Sequence, residues 1–232
     1  MDTGAVAIEV LNTGELEPFL ERYRHDTAVP EVMDAAAFIR EVLQRANAFV
    51  PSEAGSVLLD SPFERLREPA SAALYFVAAF GPSARALLGA SIPTAKGVVG
   101  HVYLTGEALV VADSEADPRF YPRFDETLAF STQNLLAVPI RIERAVCGVL
   151  EMVNRLDGGP FDERDRALLE IFAAYTSVSI QNLLDARSAG MAAHSDDLTG
   201  LANDRFFHRR LAADLESADR TGGKLALLFM DL

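Results

Sequence analysis

The sequence predicts an α+β fold, a mostly antiparallel sheet flanked by helices, with a long helix on its C-terminal side. Three observations predict it. Runs of helical period bracket the central region: "MDAAAFIREVLQRANAFV" (33–50) and the residues after Asp162. Between them lie short apolar, β-branched runs, among them "GSVLLD" (55–60) and "ALYFVAAFG" (73–81). Two further runs, "NLLAVPIRI" (134–142) and "AVCGVLEMVNR" (145–155), are separated by only Glu143-Arg144, the spacing of an antiparallel hairpin.

The elements follow in order. Residues 1–30 read as an N-terminal helical segment: "GELEPFLERYR" looks helical, and Pro30 ends it. In 33–50, Ile39, Val42, Leu43, Ala46, Phe49 and Val50 recur on one stripe, and Pro51 stops the helix. "PSARALLG" predicts a short helix ended by Gly89. "TAKGVVGHVYLTGEALVVAD" predicts a small helix, a turn at Thr105-Gly106-Glu107 and a strand ending at Asp113. Residues 114–133 form a long polar connection with two prolines, and long loops inside compact domains are often functional.

The helix that starts near Asp162 carries two apolar stripes. Leu168, Ile171, Tyr175 and Val178 form one; Leu169, Phe172, Thr176, Ile180 and Leu183 form the other. A helix apolar on two stripes must bury two faces, one on the sheet and one on a partner helix of a second copy. "DARSAGMAAHS" continues it as a small-residue stalk, with Gly190 as its weak point. The last segment predicts a helix from Asp204 to Ala218, a turn at 221–223 and a strand Lys224–Leu232. The organisation is thus a helical segment 1–30, an α+β domain 31–186, a helical linker 187–195 and an incomplete α/β unit 196–232.

Charge and cysteine usage narrow the function classes. The 232 residues hold 34 acids against 21 Lys and Arg, a net charge of −13, with no basic run. Such a chain lacks the clustered cations that phosphate backbones or anionic membranes need, so neither nucleic acid nor membrane is expected as a partner. The single Cys147, inside an apolar strand, excludes an intramolecular disulfide and a Cys-rich zinc site, and reads as a small core thiol. The N-terminus carries acids rather than a basic-then-apolar signal, and no apolar run approaches the ~20 residues of a membrane span. A cytoplasmic location is expected. His25, His101, His194 and His208 are scattered without metal-ligand spacing, so His101 reads as a hydrogen-bonded histidine rather than a haem ligand.

Six blocks in order carry a resemblance: "GPSARALLGASIP", "KGVVGHVYLTGEALVVAD", "DPRFYP", "LLAVPI", "CGVLEMVNR" and "FDERDRALLEIFAAYTSVSIQN". Together they resemble a GAF domain, the small-molecule-sensing fold of signalling proteins. The resemblance implies a ligand pocket between the sheet and the loops at 94–134, with His101, Phe120, Phe124, Thr127, Phe130 and Asn134 as its candidate side chains. It leaves the ligand unidentified, a small molecule such as a cyclic nucleotide, with an empty, collapsed pocket as the alternative. The set Asn154-Arg155, Phe161 and Asp165 resembles the Asn-Lys…Phe…Asp-Glu motif of cyclic-nucleotide-binding GAF domains, with Arg for Lys and Arg166 where Glu is expected. It implies a structural salt bridge, Arg155–Asp165, tying the strand end to the last helix.

The tail "DDLTGLANDRFF" resembles the entry signature of a GGDEF domain, the catalytic domain of diguanylate cyclases; Asn203, Arg205 and Phe207 match and Asp204 departs from it. "LALLFMDL" is similar to that family's first core strand, and Asp231 and Leu232 fall on positions that hold the catalytic Mg²⁺ in the complete cyclase. The Gly-Gly-(Asp/Glu)-Glu-Phe loop does not occur in residues 1–232, so no cyclase activity is expected of them, and GTP is a partner only of the complete parent. The resemblance implies a homodimer, formed through the terminal helices, that regulates synthesis of cyclic di-GMP from two GTP. The alternative is a ligand-free dimerisation module with a degenerate output domain.

Overall fold

The computed structural model describes residues 6–20, 35–62, 72–142, 145–192, 201 and 203–228. The chain divides into two compact units, residues 1–25 with 31–184, and 26–30 with 185–232. In the first unit a seven-stranded sheet runs in the order β1-β3-β2-β7-β6-β5, with β4 beside β3. Its strands are β1 (Ile8–Val10), β2 (Ser52–Asp60), β3 (Ala73–Phe80), β4 (Ser91–Pro93), β5 (Leu109–Val111), β6 (Leu135–Ile142) and β7 (Ala145–Arg155). Every pairing is antiparallel. The expected hairpin forms, with Ile142 opposite Ala145.

Alternation of side chains puts a separate core on each face of the sheet. On one face Leu59, Val138, Leu150 and Met152 pack with the helices α1 (Thr13–Leu20), α2 (Ala35–Phe49) and α6 (Glu163–Ala192). On the other, Leu58, Phe76, Leu135 and Val149 pack with α4 (Gly97–Thr105). The register of β6 on β7 skips Cys147, a bulge that changes the phase of β7. Cys147 is buried in the helix-side core, and its thiol donates to the Ile140 carbonyl at 3.4 Å. Next to it Gly148 is obligatory: a Cβ there would stand 2.2 Å from the Leu58 carbonyl oxygen.

The helices sit where their stripes direct. In α2, Ile39, Val42, Leu43 and Ala46 are buried, whereas Phe49 is exposed and meets Phe172 with ring centroids 5.7 Å apart. The entry to α6 is a reciprocal cap: the Asp162 carboxylate accepts from the amides of Arg164 and Asp165, and the Asp165 carboxylate accepts from the Asp162 amide. These backbone bonds, chiefly the one from Asp165, hold the Asp162 carboxyl below its usual range. Leu169, Ala173, Thr176 and Ile180 face the sheet, buried, while Ile171, Tyr175 and Val178 are 63%, 50% and 58% exposed. The stripe of Leu169, Phe172, Thr176 and Ile180 is therefore turned to the core, the side chain of Leu183 lying outside the described residues; on the other stripe Leu168 packs against the core, Tyr175 meets Phe38 with ring centroids 5.6 Å apart, and Ile171 and Val178 are open.

The structure departs from the sequence expectation in three places. The segment 1–30 is not wholly helical: Ile8–Val10 is an edge strand on β3, because Ile-Glu-Val alternates with the period of a strand; residues 21–30 lie outside the described residues. The connection 114–133 folds a short helix, α5 (Arg123–Leu128), and β5 stops at Val111 rather than Asp113. In the second unit α7 (Asp204–Thr221) is capped by the Asn203 side chain accepting from the Phe206 amide at 2.9 Å, and ends at Gly222 with φ 66°. Residues 223–228 then run without strand pairing, so the expected strand does not form over that stretch. A strand needs a hydrogen-bonded neighbour, and this segment has none among the described residues. Asp231 and Leu232, named for the Mg²⁺ site of the complete cyclase, lie outside the described residues.

Candidate functional site

The face of the sheet opposite α6 carries a cavity of about 110 Å³. β2, β3 and β7 form its floor, and α4, α5 and the connection before β6 form its walls. The walls are mainly apolar, with Phe76, Ile92, Val98, Phe120, Phe124 and Val153 among them. The rings of Phe76 and Phe124 meet edge to face at 5.2 Å, so a strand residue and an α5 residue close one wall together.

Short polar ties place the wall segments. Asp113 accepts from the amides of Glu115 and Ala116, turning the chain out of β5. The Asp117 carboxylate receives both Nε and NH2 of Arg119, at 2.9 and 2.6 Å, and the Phe120 amide donates to the Asp117 carbonyl. The Arg119 hydrogen bond holds the Asp117 carboxyl down at about 2, so this clamp stays charged through the neutral range. Asp125 on α5 accepts the Thr132 amide and hydroxyl at 2.7 and 2.9 Å. Ser114 closes the base of the excursion, its amide donating to the Gln133 carbonyl and its hydroxyl to the Thr132 carbonyl.

Asn154 anchors the same segment from β7. It holds φ at 55°, a left-handed conformation that asparagine tolerates better than most residues. Its Oδ1 accepts from the Gln133 amide at 2.7 Å, and its Nδ2 donates to the Ser131 carbonyl and to Glu53, each at 2.8 Å. Asn134 reciprocates: its carbonyl accepts the Asn154 amide, and its Oδ1 accepts the Arg155 amide. Arg155 Nε lies 2.8 Å from Asp165 Oδ2, so the strand end and the cap of α6 are tied by the expected ion pair. The contact is ionic rather than a directed hydrogen bond, because Nε has no hydrogen-bond partner. The second charge partner of Arg155 is Asp157.

Of the side chains singled out in the sequence, Phe120, Phe124 and Phe130 line the cavity together. His101, Thr127 and Asn134 do not. His101 is half-buried on α4; Thr127 is exposed, its hydroxyl donating to the Arg123 carbonyl; Asn134 is buried and spends its side chain on Arg155. Phe161 is buried in the helix-side core, away from the cavity.

Sequence reasoning missed Glu151 and Ser56. They sit opposite each other on β7 and β2, both line the cavity, and the Ser56 hydroxyl donates to Glu151 Oε1 at 2.6 Å. Burial pushes the Glu151 carboxyl up to about 7; the Ser56 bond opposes this, and the Asp125 charge adds to it. The available signal was a lone carboxylate in the middle of an apolar strand, between Leu150 and Met152. Such a group costs free energy unless something is gained by it, and a carboxyl poised near neutral pH in a cleft marks a functional candidate.

Among the described residues no group of three or more His, Cys, Asp or Glu is placed to hold a metal ion. No described helix is long and apolar enough to cross a membrane.

Comparison with known proteins agrees with this geometry. The GAF domain family matches residues 34–180. A probable 3′,5′-cyclic phosphodiesterase, pde-5, of Caenorhabditis elegans is 37% identical over 87 residues. That stretch covers 38% of this chain and only 12% of the nematode protein. Among solved structures, the GAF domain/HD domain protein of Geobacter sulfurreducens is 14% identical with a TM-score of 0.54, covering 65% of this chain and 94% of that one. The second GAF domain of DevS from Mycobacterium smegmatis is 18% identical with a TM-score of 0.53, covering 67% and 99%. At these identities the structural likeness speaks for the fold. With a family match over well over half its length and the sheet, cavity and capped last helix described above, this chain belongs to the GAF domain family.

Proposed function

We propose that this chain is the sensory part of a signalling protein, in which a GAF unit takes a small molecule and passes its state along α6 to an output domain. The observation that carries the reading is the cavity: an apolar space with a polar floor, closed by segments that are individually pinned. Ligand sites have this makeup, mostly apolar with a few placed polar groups. The open stripe at Ile171 and Val178 supports a homodimer through α6. The output we infer is a diguanylate cyclase, joining two GTP into cyclic di-GMP, on the strength of "DDLTGLANDRFF". The family match ends at residue 180, so this second assignment rests on the sequence resemblance alone. A ligand controls such an output only by binding one arrangement of the dimer better than the other.

Native mass spectrometry of residues 1–232 purified from their own host tests the sensor. A dimer carrying a reproducible added mass, lost when the cavity is filled by Leu128→Trp, is the expected result. A monomer at every concentration would overturn the relay. A dimer without added mass would replace the sensor with the ligand-free interaction module, whose supporting observation is the same open stripe. For the output, the parent protein is expected to form cyclic di-GMP from GTP; inability to do so would point to a degenerate domain.

A further inference from the structure

The charge inside the cavity restricts what the cavity can hold. Among the described residues lining it, the ionisable side chains are Glu151, Asp125 and Tyr121, and none is Lys, Arg or His. Asp125 is committed, each of its oxygens taking a bond from Thr132. Among the described residues Glu151 accepts only the Ser56 hydroxyl, and a carboxylate has room for about four donors. Glu151 is half-buried, and in an apolar wall its carboxylate gains from a donor that reaches it, above all a cationic one. An anion entering the same space meets two carboxylates and no balancing cation. Size adds a second restriction. At about 110 Å³ the cavity is on the scale of the ~150 Å³ engineered cavity that takes benzene. One ring fills that space, and the rest of a larger molecule has to lie outside it.

Resting on the reading of this cavity as a ligand site, we propose that it takes a single-ring aromatic molecule bearing a protonated amine or an equivalent N–H donor. The ring lies among Phe76, Phe120, Phe124 and Phe130, and the nitrogen donates to Glu151. The cavity therefore disfavours the phosphate of a cyclic nucleotide, and the Asn154–Asp165 motif contributes no residue to its lining. That motif is spent here on architecture, since Asn154 and Asp165 bind loop and helix backbone.

The test uses four probes on residues 1–232 at pH 8, by calorimetry and ligand-observed NMR: benzylamine, toluene, benzoate and cyclic GMP. Benzylamine is expected to bind at least tenfold more tightly than toluene, with no binding of benzoate or cyclic GMP. Glu151→Gln should bring benzylamine to within about twofold of toluene and leave toluene unchanged. Its amide oxygen still accepts from Ser56, and a single cooperative melting transition, not below that of wild type, verifies the fold. Leu128→Trp should abolish benzylamine and toluene together. Benzoate or cyclic GMP binding as tightly as benzylamine overturns the ligand class while sparing the sensor. Benzylamine binding that survives Glu151→Gln or Leu128→Trp also overturns it, because the amine then sits elsewhere. Failure of every probe, toluene included, overturns this inference, while the sensor reading is decided by the added mass in native mass spectrometry.

Discussion

Glu151 sets the terms at the scale of single residues. Its folded pKa is raised from 4.5 to about 7. The fold therefore has its full contribution from this group below the unfolded value and loses it as pH rises through about 7. We expect wild-type stability to fall between pH 5 and pH 8 relative to Glu151→Gln, by on the order of 2 kcal/mol, in paired urea titrations. A pH-independent difference between the two proteins would remove Glu151 from the account. Asn154 makes a second prediction. Three of its side-chain bonds reach Gln133, Ser131 and Glu53. Asn154→Ala leaves the Gln133 amide, the Ser131 carbonyl and the Glu53 carboxylate without these bonds and puts a less tolerant residue at φ 55°. The expected cost is about 2–3 kcal/mol, with faster amide exchange concentrated at 131–134. Uniform exchange across the domain would mean that Asn154 is not the anchor.

Among the elements, β7 is the most constrained. Gly148→Ala sets a methyl against the Leu58 carbonyl, a backbone atom that cannot step aside without breaking the β2 ladder. A loss of about 1–3 kcal/mol or more follows, read as a lowered denaturation midpoint at constant m-value. Much of this level is legible in the sequence. The β6–β7 hairpin follows from a two-residue gap between apolar runs, and the two stripes of α6 follow from spacings of three and four. Strand β1 is not legible, because three residues give a period-2 pattern too little length to stand out from the helical text after it. Helix α5 escapes for a different reason. It is six residues long and ends on Ala129 in the left-handed region, where a glycine would have advertised the stop. Three of the cavity phenylalanines, Phe120, Phe124 and Phe130, could be named from the loop they occupy. Glu151 and Ser56 could not, since their pairing depends on the register of β7 on β2.

For the whole molecule, the division of α6 into a buried and an open stripe carries the prediction. Ile171→Glu and Val178→Glu put charge on the open stripe without touching the sheet. Sedimentation should show a shift from dimer to monomer by at least tenfold in Kd, with the melting temperature of the isolated monomer unchanged. A dimer that survives both substitutions would have to be built on another surface. The alternation along β7 has a consequence of its own. Val149, Glu151 and Val153 face the cavity side, while Leu150 and Met152 face the helices. Chemical preference and structural integrity are therefore written on alternate letters of one strand. On the proposed reading, exchanges at Glu151 and Val153, which line the cavity, change what it takes, while Leu150 and Met152 keep the strand packed on the helices.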